Sequence, residues 1–345
     1  MTTVLTPAMR AAHSGTRQAV RTEGLVKCFG AQRAVDGIDL DVRPGEIVGV
    51  LGPNGAGKTT MLRMLATLLH IDSGRAEIFG VDVADRPHVA RQLIGVTGQY
   101  ASVDENLTGS ENLRLFARLQ GLRPARARQT AGELLDRFGL GDAADKPIAQ
   151  FSGGMRRRLD LAASLITRPP LIFLDEPTTG LDPRTRGQMW ETIRSLVTDG
   201  ATVLLTTQYL EEADRLADRI AVIDHGRMVA EGSPEELKSS VGLSTLALRT
   251  APEDVARAAA VVRELRGAEP AQAADGGRVT VALESADEAA DILIALRGAQ
   301  VPVTSVSVDK PSLDEVFLAL TGRPTDTDNS DTDSTDTDST EETAR

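Results

Sequence analysis

IVGVLGPNGAGKTTMLRMLATLL, residues 47–69, passes through three kinds of local structure within one stretch. Five apolar residues, Ile47 to Leu51, make a strand-sized run. The run breaks into GPNGAGKTT at 52–60 and resumes as an apolar pattern at helical spacing. Gly52, Gly57, Lys58 and Thr59 satisfy G-x-x-x-x-G-K-[ST] in the strand–loop–helix setting that the motif requires. Glycines let backbone N–H groups turn inward around an anion, and the start of the helix adds partial positive charge. Pro53, Asn54, Gly55, Ala56 and Thr60 complete the loop around a phosphate chain. Lys58 is predicted to neutralise the β- and γ-phosphates, and the Thr59 hydroxyl to enter the shell of a Mg²⁺ ion. The plainer alternative is a glycine-rich turn before a helix.

PPLIFLDEP at 169–177 matches the other half of such a site. Its LIFL run reads as a buried strand that delivers Asp175 and Glu176 to one edge of a sheet. Successive strand side chains point to opposite faces, so Asp175 is predicted beneath the Mg²⁺ and Glu176 facing the γ-phosphate, where it would orient and deprotonate water. Taken alone, such a pair reads as a helix N-cap or a solvated edge. Beside the phosphate loop it points to hydrolysis of a nucleoside triphosphate.

Outward from these segments, the first 230 residues alternate short apolar strands with amphipathic helices, the pattern of an α/β domain with a mostly parallel sheet. STLALRT (244–250), RVTVAL (278–283) and VPVTSVSV (301–308) read as strands, each followed by a helix: 252–266, 285–297 and 312–320. Ser233 with Glu236, and Ser312 with Glu315, have the spacing of capping boxes. The expected organisation is a flexible arm at 1–20, a nucleotide-binding domain at 21–240, a small α+β domain at 241–324 for assembly or regulation, and a disordered acidic tail at 325–345. That tail holds eight acids and one Arg.

The 345 residues carry 38 Lys and Arg against 50 Asp and Glu, a net charge of −12, the wrong sign for a nucleic-acid groove. Aromatic residues, at 3%, are too few for a base-stacking platform. One cysteine, Cys28, excludes an intramolecular disulfide and a cysteine-based metal cluster. No run reaches the ~20 apolar residues of a membrane span, so this chain is not expected to cross a bilayer.

FSGGMRRRLDLAASLI at 151–166 resembles the signature motif of ABC ATPases, with Ser152, Gly153 and Gly154 at its centre. Gln99 matches the family's Q-loop, and Asp182, in TTGLD, its D-loop. Phe29 stands where the family places an aromatic residue against adenine. The resemblance implies a P-loop NTPase fold with an antiparallel β subdomain and a helical signature subdomain. It implies ATP and Mg²⁺ as cofactors, with Gln99 beside Thr59 and Asp175 at the metal. It also implies a head-to-tail homodimer in which each copy lends its signature to the other's nucleotide. Three residues depart from the pattern: Phe151, Met155 and Gln208, the last replacing a switch His. Gln can donate an amide N–H to a γ-phosphate oxygen but cannot become cationic. Slow turnover is therefore expected, with Glu176 as the main base, Lys58 and Gln208 assisting.

VTGQYASVDENLTGSENL (96–113), TTQYLEEADRLADRIAVIDHGRMVAEG (206–232) and SLDEVFLALTGRP (312–324) are similar to the ATP-binding subunits of daunorubicin/doxorubicin-resistance exporters. That resemblance implies a homodimer on the cytoplasmic face, bound to a separate membrane permease that exports a hydrophobic antibiotic. A lipid or another secreted metabolite is the alternative cargo, and a soluble, non-transport ABC ATPase the alternative class. In the last helix, Leu313, Val316, Phe317 and Leu320 recur at i, i+3, i+4 and i+7, one apolar face suited to packing on the catalytic domain.

Overall fold

A computed structural model describes residues 18–98, 103–241, 244–266, 270–272, 277–283, 286–309 and 311–321. Its centre is a six-stranded sheet in the order Arg227–Gly232, Arg219–Asp224, Ile47–Leu51, Thr202–Thr207, Leu171–Asp175, Ile94–Thr97. All neighbours pair in parallel except Arg227–Gly232, which adds antiparallel to one edge. Every residue of Ile47–Leu51, Leu171–Asp175 and Thr202–Thr207 is buried. Continuous apolar or Thr-rich runs of this kind suit parallel strands covered on both faces.

A second, antiparallel sheet, in the order Gln32–Val42, Val20–Phe29, Ser73–Ile78, Val81–Asp82, packs on one side. One apolar cluster joins both sheets to the helix Lys58–Leu65, through Val50, Met61, Leu65, Ile38 and Ile78. A separate cluster gathers the helices Gly109–Leu119, Pro124–Arg137 and Gly153–Ser164 with Pro183–Thr198 against the other face of the central sheet. The α/β P-loop architecture with antiparallel and helical parts thus agrees with expectation. Val20 already pairs with Val42 and Ala19 is fully buried, so ordered structure begins inside the expected 1–20 arm.

The C-terminal part has its own antiparallel sheet, ordered Ala271–Gln272, Arg278–Leu283, Ser244–Thr250, Val303–Asp309, backed by the helices Val255–Arg266 and Ala286–Gly298. The two-residue strand Ala271–Gln272 had no sequence signal, because two residues carry no periodicity. The helix expected at 252–266 divides into a 3₁₀ turn, Pro252–Asp254, and the helix proper. Both capping boxes close: Glu236 and Glu315 accept from the N–H of Ser233 (2.8 Å) and Ser312 (3.1 Å), whose hydroxyls accept in return.

The helix Leu313–Thr321 folds back onto the catalytic part. Leu313, Val316 and Phe317 are buried in one apolar cluster with Leu51, Leu210, Ala213 and Val222, the first of which ends the strand that feeds the phosphate loop. Leu320 stays 37% exposed and contributes less to that face than its spacing suggested. No helix among the described residues is long and apolar enough to cross a membrane. The acidic tail at 325–345 lies outside the described residues.

Candidate functional site

The strand Ile47–Leu51 ends in a loop clamped from two sides. The Gly52 N–H donates to the Thr207 carbonyl (3.3 Å), and a β-carbon at Gly52 would lie 2.1 Å from the Ile223 carbonyl oxygen. Gly57 has φ +105°, and a β-carbon there would meet the Ala34 oxygen at 2.2 Å. Two strands of the central sheet and one of the antiparallel sheet therefore press on the loop, and only glycine fits at those two positions.

Lys58 starts the following helix and is 4% exposed. Its Nζ donates to the carbonyls of Gly52 (2.7 Å) and Pro53 (3.0 Å) and stands 3.9 Å from Glu176 Oε1. Burial lowers its pKa, against the opposing pull of the Glu176 and Asp175 carboxylates. Asp175 Oδ1 accepts from the hydroxyls of Thr59 (2.9 Å) and Thr206 (2.6 Å), tying the phosphate loop to two adjacent strands.

Glu176 corrects the expectation drawn from strand alternation. The strand stops at Asp175, and Glu176 has φ +48°, in the left-handed region. Its N–H donates to the Thr206 carbonyl (3.1 Å) and hydroxyl (3.2 Å), and Thr179 Oγ1 donates to its Oε2 (3.2 Å). The left-handed turn, not the pleat, therefore carries the second carboxylate to Lys58. Such a conformation costs a non-glycine residue about 1–2 kcal/mol and persists only where surrounding contacts hold it.

Gln208 directly follows the strand Thr202–Thr207, whose Thr207 pairs with Leu51, so it occupies the sheet edge from which Gly52 emerges; it is half-buried. Phe29 is 51% exposed, with Lys27 Nζ 5.7 Å from its ring centre. Gln99 lies outside the described residues.

A second cluster forms around the signature. Ser152 caps the helix Gly153–Ser164, its Oγ accepting from the Met155 N–H (3.2 Å). Asp182 caps Pro183–Thr198, accepting from the N–H (3.0 Å) and hydroxyl (2.7 Å) of Thr185. Those two bonds hold the Asp182 carboxyl below its usual pKa, the side-chain bond most strongly. A β-carbon at Gly154 would fall 2.2 Å from Thr185 Cγ2, whereas at Gly153 it would meet open space. The two glycines of the motif thus differ: Gly153 leaves backbone accessible, and Gly154 lets two capped helices meet.

Several participants were invisible to sequence reasoning. Arg157 looks like one of three arginines on a solvated helix face, yet it is buried. Thr206 looks like an ordinary strand residue. Glu212 looks like half of an exposed Glu–Glu pair but is fully buried, its Oε1 accepting from Thr178 Oγ1 (2.7 Å) and Trp190 Nε1 (3.2 Å). No local signal distinguishes Glu212 from Glu211.

Burial pushes the Glu212 carboxyl above its ordinary pKa, against hydrogen bonds from Thr207, Thr178 and Trp190. The folded protein therefore keeps its Glu212 proton to higher pH than the unfolded chain, which releases it at about pH 4.3. That contribution to stability is full below the unfolded value and is lost as pH rises through the folded one. Glu212→Gln stays neutral, so its melting temperature relative to the parent is expected to rise as pH climbs above the ordinary glutamate value of about 4.3. Melting curves that fall in parallel would show that Glu212 does not titrate above that value.

The model of the ABC transporter family matches residues 35–179, and that of the ATP-binding protein DrrA1-3-like C-terminal domain matches residues 232–321. The daunorubicin/doxorubicin resistance ATP-binding protein DrrA of Streptomyces peucetius is 54% identical over 310 residues, 90% of this chain and 94% of that protein. The chain belongs to the ABC ATP-binding subunits of the drug-resistance exporter family. Like other ABC ATPases it is an ATP-hydrolysing transport ATPase. A Nod factor export ATP-binding protein I of Ralstonia nicotianae is 47% identical over 223 residues, 65% of this chain and 70% of that protein. Among solved structures, the dimeric post-hydrolysis state of the ATP-binding cassette MJ0796, bound to ADP and Pi, matches at TM-score 0.57 and 27% identity, covering 62% of this chain and 98% of that one. ABC ATP-binding subunits dimerise and act with a separate membrane permease.

Proposed function

We propose that two copies of this chain close head to tail around ATP on the cytoplasmic face and drive a separate permease that exports a hydrophobic antibiotic. The observation that carries this reading is the convergence of Lys58, Thr59, Asp175 and Glu176 on one glycine loop. In it, 21–240 act as the nucleotide-binding domain and 241–324 as an assembly or regulatory domain. Nucleic acid is not a partner.

The residues suit the cofactors. The loop backbone and Lys58 would hold the phosphates, with Phe29 against the adenine. A hydroxyl and a carboxylate, Thr59 and Asp175, together with the Gln99 amide, suit a Mg²⁺ ion that keeps water and phosphate ligands. When bound, Mg²⁺ neutralises charge on the β- and γ-phosphate oxygens. Glu176 accepts the proton of the attacking water. Gln208 donates an N–H toward the γ-phosphate, and Ser152, Gly153 and Asp182 serve the partner's nucleotide. Gly154 supports that surface through Thr185.

A cleft of about 1020 Å³ lies beside the strand Ile94–Thr97, which leads into Gln99; Leu68, Arg91, Gln92, Phe116 and Gln120 line it. This is where a permease segment would sense the nucleotide. Export of a lipid or another secreted metabolite is the second reading, and a relative named for Nod factor export rather than drug resistance keeps it open.

Lys58→Ala decides whether this site powers export. Cells carrying the chain with its permease should accumulate about tenfold less of a fluorescent anthracycline than cells carrying Lys58→Ala. Equal accumulation would exclude export of that anthracycline, and equal turnover of the purified proteins would remove Lys58 from the mechanism.

A further inference from the structure

Arg157 lies in the first turn and a half of the helix Gly153–Ser164, 8% exposed, and its guanidinium donates to four backbone carbonyls. Nη2 donates to the carbonyls of Asp175 (2.8 Å) and Glu176 (2.7 Å), and Nε to that of Pro177 (3.0 Å). Nη1 donates to the carbonyl of Gly98 (2.6 Å), the residue before Gln99. One planar fork thus holds three consecutive carbonyls of the acidic turn and a fourth from the end of the neighbouring strand segment. A guanidinium has five donors in fixed directions, and no other side chain meets that pattern. Burial opposes its charge, and Asp160, Asp175, Glu212 and Glu176 offset the penalty.

The backbone at the second of those carbonyls is the left-handed one at Glu176. On its other side the Glu176 N–H is held by Thr206. The peptide units flanking Glu176 are therefore pinned from opposite directions, by a strand and by the signature helix.

We propose that Arg157 is the positioning residue for Glu176: it holds the turn that sets the carboxylate beside Lys58 and links that turn to the signature helix and to the entry of the Gln99 segment. A shift of the helix that starts at Ser152 then moves the base of the same subunit. The proposal deepens the mechanism above and rests on Glu176 as the base.

Arg157→Lys and Arg157→Gln test it. Lysine keeps the charge but cannot lie in plane with successive carbonyls. Both variants are expected to keep a cooperative melting transition and to bind a fluorescent ATP analogue within about threefold of the parent. Turnover should fall about 10- to 100-fold, less for Lys than for Gln, because misplacement of a reacting group by about 1 Å costs about 100-fold. Amide hydrogen exchange across residues 175–179 should quicken about tenfold, with the amides of 52–59 unchanged. In a Glu176→Gln background, single-turnover hydrolysis should show no further loss from Arg157→Lys, since the two act through one group.

Parental turnover in both variants overturns the proposal, as does an undiminished further loss in the Glu176→Gln background. Loss of the melting transition in both variants, or exchange quickened equally throughout, assigns Arg157 to general stability and also overturns it. If Glu176→Gln alone leaves turnover intact, the base assignment fails, while exchange at 175–179 still reports whether Arg157 holds the turn.

Discussion

Replacing Glu176 with Gln is expected to lower steady-state ATP turnover by at least about 100-fold, the range of a lost general base. The amide keeps the size of the carboxylate and an oxygen to accept from Thr179 Oγ1, so the turn should survive. Gln is no better suited than Glu to φ +48°, so backbone strain is unchanged. What is lost is the ability to take a proton. Affinity for a fluorescent ATP analogue should therefore stay within about threefold of the parent, an effect on turnover rather than on ground-state binding. The Gln208 side chain is a neutral amide, so no second base is available at that position. Unchanged turnover in Glu176→Gln would disprove the assignment.

The second large effect is expected at a glycine far from the phosphate loop in sequence. Gly154→Ala places a methyl 2.2 Å from Thr185 Cγ2, and Thr185 cannot rotate away without giving up its hydroxyl bond to Asp182. The two caps should separate, and turnover should fall about 100-fold while ATP binding to the phosphate loop stays normal. Thr185→Ser removes the offending methyl and keeps the hydroxyl. The nearest remaining atoms, Thr185 Cβ and Oγ1, lie 3.4 and 3.5 Å away. The double variant Gly154→Ala/Thr185→Ser should recover most of the activity. Failure of Thr185→Ser to restore turnover, with both proteins folded, would mean that Gly154 acts through something other than this contact. The head-to-tail arrangement also requires turnover per chain to fall on dilution below the dimer affinity; turnover per chain independent of concentration would contradict it.

Where local chemistry decides the structure, the sequence was sufficient. Glycines at 52 and 57, followed by Lys58 and Thr59, specify a loop whose shape depends on residues within one turn of each other. The apolar strands announce a covered parallel sheet, and the capping boxes mark helix starts at the next residue, Pro234 after Ser233 and Leu313 after Ser312. The signature and the C-terminal helix identify the family by residues read in order.

Tertiary structure decided what depends on contact between distant segments. The pleat alone would have sent Glu176 away from Asp175; Thr206 and Arg157, 30 residues ahead and 19 behind, hold the left-handed turn that brings it back. Arg157 and Glu212 sit in charged runs that look solvated, and only tertiary packing buries them, Arg157 against the acidic turn and Glu212 against Thr178 and Trp190. Gly154 passes for a mobile motif glycine until Thr185 occupies the space beside it. In each case the residue's own neighbours in sequence carry no trace of the partner, because the deciding energy is burial and hydrogen bonding across the fold rather than local conformational preference.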